Sequence, residues 1–192
     1  HRKEGRPCGI RAKMNQLQDP RMIGELYRAG QAGVPISLNV RGLCCLRAGV
    51  PGLSENIRVF STIGRFLEHG RIYRFENGGD PEFFIGSADW MRRNLFSRME
   101  CIMPVKDPHI QQELEQILSV LENDNCSAWD MQPDGSYVLR HPGKGEQCRP
   151  AQNVFLDLSS AHPEKPLSVP KYGRRRLSGR KPRMPKKRCT HS

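Results

Sequence analysis

Hydrophobic residues are scarce in this chain of 192 residues, where they make up 36% of the sequence. No apolar run approaches the roughly 20 residues that a membrane-spanning helix needs, so we predict no transmembrane segment. The seven cysteines form no C-x-x-C pair and have no zinc-type spacing with histidine. This argues against the common structural zinc motifs and favours a reducing compartment, which predicts a cytoplasmic location.

Positive charge is abundant but unevenly distributed. The formal net charge is +11, and residues 159–192 contain eleven lysines and arginines with one acid. The preceding 158 residues therefore carry 20 bases and 19 acids and are nearly neutral. We predict an irregular lead-in over residues 1–8, one domain over 9–158, and a disordered basic tail over 159–192.

The hydrophobic pattern predicts a mixed α/β domain. A strand over 10–14, a helix capped by Asp19-Pro20 and a strand over 34–40 follow one another within about thirty residues, as in a parallel α/β layer. Further predicted elements are listed in chain order: a strand at 56–61, a helical turn at 63–68, strands at 70–75, 83–85 and 98–105, a helix from Asp107-Pro108, a hairpin over 129–139 and a helical turn at 151–158.

One segment carries the residue types of a phosphate-handling site. His69 and Arg71 alternate on the segment that leads into the predicted strand at 70–75, so their side chains would share one face. Imidazole exchanges protons near neutral pH, and guanidinium binds phosphate oxygens through paired hydrogen bonds. Arg41 follows the strand at 34–40, and the carboxyl ends of such strands are where open α/β sheets place ligands.

Each of these residues also has a simpler interpretation. His69 could be a surface histidine on an ordinary strand, and Arg41 a solvated loop arginine. Asp89 could cap a helix whose next residue, Trp90, packs into the core.

Short and long motifs in the same region resemble known families. His69, Arg71 and Glu76 form H-x-R-x4-E, which differs at two positions from the H-x-K-x4-D motif of the phospholipase D superfamily. The turn Gly86-Ser87-Ala88-Asp89 resembles the G-S-x-N motif of that superfamily. Longer runs closely resemble the carboxyl-terminal region of bacterial polyphosphate kinases of the first family: VRGLCCLRAGVPGLSENIRV (40–59), IGRFLEHGRIYRFENGG (63–79) and FIGSADWMRRN (84–94).

The resemblance implies both a fold and an activity. The fold would be an α/β phospholipase D-like sandwich, with a mixed sheet flanked by helices. The enzymes of this family reversibly transfer the terminal phosphate of ATP to polyphosphate with Mg²⁺, through a phosphohistidine in the preceding domain. His69 would be the catalytic partner of that histidine, Arg41 would contact the nucleotide phosphates, and Arg71 would be a further phosphate ligand.

The sequence also departs from the family pattern. Neither His109 nor His141 has the lysine or arginine two positions later that a second histidine motif would need. We therefore expect a fragment that is inactive alone and contains no metal ligands. ATP, ADP and polyphosphate would be the partners of the full-length enzyme, which would assemble as a homo-oligomer. Peripheral association with the inner membrane is an alternative location.

Two other functions remain open from the sequence. A dimer could bring two copies of His69 together in a phosphodiesterase, although arginine and glutamate replace the lysine and aspartate of the motif. A non-enzymatic module could instead bind nucleic acid or polyphosphate through RRR (174–176) and PKKR (185–188). Tyr172 stands alone in this tail, so a surface for stacking bases is not predicted.

Overall fold

The structure, a computed structural model, describes residues 1–161. It contains eight strands, four α-helices and two short 3-10 turns at Arg2–Glu4 and Asn77–Gly79. The strands are β1 (Ile10–Met14), β2 (Ile36–Val40), β3 (Ile57–Thr62), β4 (Ile72–Phe75), β5 (Glu82–Gly86), β6 (Ile102–Val105), β7 (Ala128–Met131) and β8 (Tyr137–Leu139). The helices are α1 (Pro20–Gln31), α2 (Arg92–Phe96), α3 (Pro108–Glu122) and α4 (Ala151–Ala161).

All eight strands form one mixed sheet in the order β6-β5-β4-β1-β2-β3-β7-β8. The three central strands β1, β2 and β3 are parallel, and every other neighbouring pair is antiparallel. The predicted mixed α/β fold, with a parallel strand-helix-strand unit near the amino terminus, is therefore confirmed.

A hydrophobic core covers each face of the sheet because alternate strand residues point to opposite sides. On one face, α1 contributes Ile23 and Leu26 to a cluster with Leu38 and Val59. On the other face, α3 and α4 pack against the sheet through two clusters, whose buried members are Phe60, Leu121, Ala128, Ala151, Ile72, Phe83, Leu114 and Leu118.

The two long helices begin as the sequence predicts. The Asp19 carboxylate accepts hydrogen bonds from the amides of Arg21 and Met22 at 3.1 and 3.0 Å, and Asp107 does the same at the start of α3. A proline follows each aspartate, where its missing N–H costs nothing because the first helical amides have no partner within the helix.

Three sequence expectations need correction. His69 does not lie on a strand, because β4 begins at Ile72, and residues 63–68 form a loop with a bend at 65–66 rather than a helical turn. Helix α4 extends to Ala161, so residues 159–161 belong to it and not to a tail. The rest of the predicted tail, with its two basic motifs and Tyr172, lies outside the described residues.

A disulfide between Cys126 and Cys148 was not expected from the sequence. It joins the segment before β7 to the segment before α4, and it is at odds with the expectation of a reducing compartment. In the described part of the chain, Cys8, Cys44, Cys45 and Cys101 are free thiols. None of the helices described is both long and apolar enough to span a lipid bilayer.

Leu38 provides a test of the core. Its side chain is 0% exposed at the centre of the sheet, so we expect Leu38→Ala to lower the free energy of unfolding by about 2–5 kcal/mol, through lost burial and the cavity that remains. Leu67→Ala is the matched control, because Leu67 is 70% exposed and should lose less than about 0.5 kcal/mol. Urea unfolding followed by circular dichroism measures both, and equal losses would contradict this assignment of the core.

Candidate functional site

The residues predicted for a site come together at one edge of the sheet. This edge is formed by the carboxyl ends of the parallel strands β1, β2 and β3. Because β4 is antiparallel to β1, its first residue, Ile72, lies beside Lys13 near the end of β1. The end of β5 reaches the same edge, since Ile85 pairs with Ile72. The segments after β1, β2 and β5 and the segment before β4 therefore meet here.

Arg41 is joined to this edge through Asn15. The Nε and Nη2 atoms of Arg41 donate to Asn15 Oδ1 at 3.1 and 3.0 Å. The backbone amide of Asn15 in turn donates to Asp89 Oδ1 at 2.8 Å. A guanidinium has five N–H donors, so these two bonds leave three donors of Arg41 for a ligand.

Arg71 and Asp89 form the central ion pair of the site. Arg71 Nε donates to Asp89 Oδ1 at 2.8 Å and Nη2 donates to Oδ2 at 3.1 Å, while Nη1 donates to the carbonyl of His69 at 3.1 Å. Asp89 is 5% exposed, and its carboxylate raises the pKa of Arg71 further above the usual value. Arg71 therefore uses its guanidinium fork to hold Asp89 and the backbone of His69, whose side chain is exposed.

Lys13 is a buried cation next to the His69 segment. Its side chain reaches from β1, and Nζ donates to the carbonyl of Gly70 at 3.0 Å and lies 3.4 Å from a carboxylate oxygen of Glu68. Burial lowers the pKa of Lys13, the positive charges of Arg41 and Arg71 lower it further, and Glu68 opposes both effects. Three cations thus converge at the edge where His69 lies.

Helix α4 fastens the segment that carries His69. Gln152 Oε1 accepts from the amide of Phe66 at 2.8 Å, and its Nε2 donates to the carbonyl of Phe66 at 2.8 Å and to Glu68 Oε1 at 2.9 Å. A Cβ atom on Gly64 would lie 2.4 Å from Gln152 Oε1, so only glycine allows this approach. The conformation of residues 63–70 therefore depends on a helix more than eighty residues later in the chain.

The Gly86-Ser87 turn at the end of β5 contacts the residues just before β6. The Ser87 hydroxyl donates to Glu100 and accepts from the amide of Cys101 at 3.1 Å. A Cβ atom on Gly86 would lie 2.3 Å from the carbonyl oxygen of Cys101, so glycine permits the close packing of this turn. Hydrogen bonds from Ser87 and Asn94 lower the pKa of Glu100. Ser87 thus shapes the turn that delivers Asp89.

Glu76 and Asp89 have positions or partners that differ from those predicted from the sequence. Glu76, the last residue of the H-x-R-x4-E motif, follows β4 at the opposite edge of the sheet and pairs with Arg74 at 2.7 Å. Asp89 does not cap a helix, because its carboxylate binds Arg71 and Asn15. Trp90 is buried as expected and stacks on Tyr73, with ring centroids 5.1 Å apart.

Sequence reasoning missed three residues of this arrangement, namely Lys13, Asn15 and Gln152. Lys13 and Asn15 are polar residues at the end of an otherwise buried strand, which is a recognisable signal because lysine is rarely buried without a partner. The pairing of Asp89 with Arg71 across 18 residues, and the contact of Gln152 with Phe66, leave no local signal in the sequence. They arise from the order of the strands and the packing of α4.

The described residues contain no group of three or more His, Cys, Asp or Glu side chains that could hold a metal ion. The carboxylates at the site already have partners, since Asp89 binds Arg71, and Glu68 binds Lys13 and Gln152. A set of free oxygen ligands, which Mg²⁺ requires, is therefore not present in this part of the chain.

The fold and the site together define an α/β domain that presents cations and one histidine at the carboxyl edge of its parallel strands. Comparison with known proteins gives the family. A sequence model described as "Polyphosphate kinase C-terminal domain 2" matches residues 1–152. The chain belongs to the polyphosphate kinase family, as its sequence motifs had indicated.

Individual relatives agree with this assignment. The polyphosphate kinase of Thermosynechococcus vestitus is 54% identical over 167 residues, which cover 84% of this chain and 23% of that protein. The Synechocystis protein of the same name is 57% identical over 146 residues, or 76% of this chain and 20% of that protein. The chain therefore spans about a quarter of the curated relatives.

A solved structure supports the fold directly. The crystal structure of polyphosphate kinase from Porphyromonas gingivalis aligns with a TM-score of 0.78 at 40% identity. The alignment covers 84% of this chain and 25% of that one.

Lys13 predicts a pH dependence of stability. Because its pKa is lowered in the folded state, the unfolded chain binds more protons below the ordinary lysine pKa of about 10.4, and the free energy of unfolding rises as pH increases toward that value. Lys13→Met removes this component, so in urea titrations the free energy of unfolding of wild type should rise relative to that of the variant as pH increases toward about 10.4. Exposed Lys144→Met is the control and should parallel wild type. Parallel curves for Lys13→Met would contradict the prediction.

The hydrogen bonds of Gln152 predict that its replacement will make the backbone at Phe66 more mobile. Gln152→Ala removes both partners of the Phe66 backbone, so the amide of Phe66 should exchange with solvent at least about tenfold faster. Hydrogen–deuterium exchange with mass spectrometry measures this over residues 63–70. Asn153→Ala, at an exposed position of the same helix, should leave exchange unchanged. Unchanged exchange in Gln152→Ala would show that α4 does not hold the segment.

Proposed function

We propose that this chain forms the carboxyl-terminal part of a polyphosphate kinase, which reversibly transfers the terminal phosphate of ATP to polyphosphate. Family membership supports the activity, and the site supports a division of labour. The nucleophile would be a histidine of the preceding domain, and the edge described above would supply Arg41 and His69. The isolated chain would then be inactive.

The proposed reaction has two steps. In the first, a nitrogen of the preceding domain's histidine bonds to the terminal phosphorus of ATP, and the bond from that phosphorus to the ADP oxygen breaks. In the second, a terminal oxygen of polyphosphate bonds to the same phosphorus, and the bond to nitrogen breaks. Both steps require positioning and neutralisation of charge on the phosphoryl oxygens.

The residues of this chain fit distinct parts of that task. Arg41 retains three N–H donors and would bind the phosphoryl oxygens as their negative charge develops. His69 would face the attacking histidine and donate a proton or a hydrogen bond to the transferred phosphate. Arg71 uses three of its five N–H donors on Asp89 and the His69 carbonyl, so it would act mainly by positioning His69.

Mg²⁺, ATP and a homo-oligomeric assembly complete the proposal. The carboxylates of this edge are already paired, so Mg²⁺ would be held by other parts of the enzyme and by the nucleotide phosphates. We assign no step of this chain's chemistry to the metal. A cytoplasmic location is part of the same proposal, and the Cys126–Cys148 disulfide is the one observation among the described residues that argues against it.

One observation carries the proposal more than any other. A continuous series of hydrogen bonds runs from Arg41 through Asn15, Asp89 and Arg71 to the backbone of His69. Two residues 28 positions apart are thereby held in one arrangement, which suits a phosphate bound between them.

His69 is the residue to test. In a full-length polyphosphate kinase that contains this chain, His69→Gln should lower the rate of polyphosphate synthesis from ATP by about 10²- to 10⁴-fold, because a general acid or hydrogen-bond donor is lost. His141→Gln, which changes an exposed histidine of the same domain, should retain the wild-type rate. Incorporation of radiolabel from the terminal phosphate of ATP into polyphosphate measures the rate of both variants. Comparable activity of the two variants would contradict the role of His69.

A further inference from the structure

A groove lies beside the proposed site, where the start of α1 meets α2. It has a volume of about 450 Å³ and is lined by Asp19, Pro20, Arg21, Arg92, Phe96 and Ser97. An adjoining space shares Pro20, Arg92 and Ser97 and adds Arg93. We call this feature the arginine groove, after Arg21, Arg92 and Arg93.

The arginine groove is continuous with the edge that carries Arg41 and His69. The segments 15–19 and 87–91 run side by side, since Asn15 donates to Asp89 and the Asp19 amide donates to the Trp90 carbonyl at 2.9 Å. Arg92 follows Asp89 by three residues. Because an extended residue advances about 3.3 Å, the backbone at Arg92 lies within about 10 Å of that at Asp89.

The arginines of the groove are not neutralised by carboxylates. Within the described residues, none of the three forms a salt bridge, whereas many other arginines of the domain do, including Arg11, Arg58, Arg71, Arg74 and Arg140. The acids nearby are engaged elsewhere, because Asp19 caps α1, Asp89 binds Arg71, and Glu100 binds Ser87 and Asn94. The groove therefore presents uncompensated positive charge.

The groove also holds one arginine in a defined place. The guanidinium of Arg21 lies over the ring of Phe96, 4.1 Å from its centroid. A planar guanidinium that stacks on an aromatic ring keeps its edge N–H groups free for phosphate oxygens. Arg21 thus covers one face of the Phe96 ring and is itself kept in place at the wall of the groove.

From these observations we infer that the arginine groove binds the polyphosphate chain at phosphates beyond the one that reacts. The inference rests on the proposed function and extends it from the reacting phosphate to the body of the substrate. A linear polyanion carries charge on every unit, so a chain whose end lies between Arg41 and His69 would gain attraction from the cations of the adjoining arginine groove. Triphosphate and ADP have few phosphates and would leave the groove unfilled.

The test uses the full-length enzyme in the direction that makes ATP from ADP and polyphosphate. Arg92→Gln/Arg93→Gln is compared with Arg6→Gln/Arg28→Gln, which removes two charges from arginines that pair with Glu4 and Glu25 far from the site. The KM is measured for long polyphosphate, for triphosphate and for ADP, at two or more salt concentrations.

We expect the Arg92/Arg93 variant to raise the KM for long polyphosphate by about tenfold, with a shallower dependence on salt, because contacts to phosphates are lost. The KM for ADP and for triphosphate should stay at the wild-type value, and the Arg6/Arg28 variant should match wild type throughout. This pattern distinguishes chain binding from a general loss of folding or charge.

Other results would overturn the inference. An unchanged KM for long polyphosphate would remove the groove from substrate binding while leaving the proposed function intact. An equal rise for triphosphate, for ADP or in the Arg6/Arg28 variant would show a general effect instead of a subsite for the chain. Absence of ATP formation by the wild-type enzyme would refute the proposed function itself, and the inference with it.

Discussion

The arrangement of the whole site depends on the buried carboxylate of Asp89. It accepts hydrogen bonds from the amide of Asn15 and from two nitrogens of Arg71, and so it joins the ends of β1 and β5 to the start of β4. A buried charge is costly unless it is paired and hydrogen-bonded, and here every strong partner comes from a different segment. Arg41 through Asn15, and His69 through Arg71, are therefore placed by the same negative charge.

The distribution of charge explains how a nearly neutral domain presents positive charge at one edge of its sheet. Away from the site, many arginines are paired with carboxylates, as Arg11 is with Glu115 and Glu122 on the face covered by α3. Near the site, the carboxylates are bound by other groups, while Arg41 and the arginine groove have no carboxylate partner among the described residues. The net charge of the domain is small, but the local field at this edge favours phosphate.

The site also depends on the far end of the domain. Gln152 on α4 binds the backbone of Phe66, and the disulfide from Cys126 to Cys148 fastens the segment that leads into α4. Ile63, Phe66 and Leu67 remain exposed on the segment before His69. The segment before His69 is thus held by hydrogen bonds from α4, while its apolar side chains remain exposed.

Local patterns were sufficient to predict the parallel strand-helix-strand unit, the capped starts of α1 and α3, and the hairpin of β7 and β8. Alternating hydrophobic residues, Asp-Pro pairs and Pro-Asp-Gly turns are read within a few residues. The family followed from long motifs, and these also indicated Arg41 and His69. The prediction of a strand at His69 was wrong. The alternating pattern extends into this segment, but hydrogen bonds from Lys13, Arg71 and Gln152 hold its backbone in another conformation.

The class of fold, the family and the residue types available for phosphate chemistry can be derived from the amino-acid sequence alone, because local periodicity and contiguous motifs carry them. The pairing of Arg71 with Asp89, the position of Glu76 at the opposite edge, and the hold of Lys13 and Gln152 on the His69 segment become visible only in the folded chain. A buried charge takes its partners from whichever segments the sheet brings beside it. Strand order, which pairs Phe60 of β3 with Asp130 of β7, is not encoded in any local pattern.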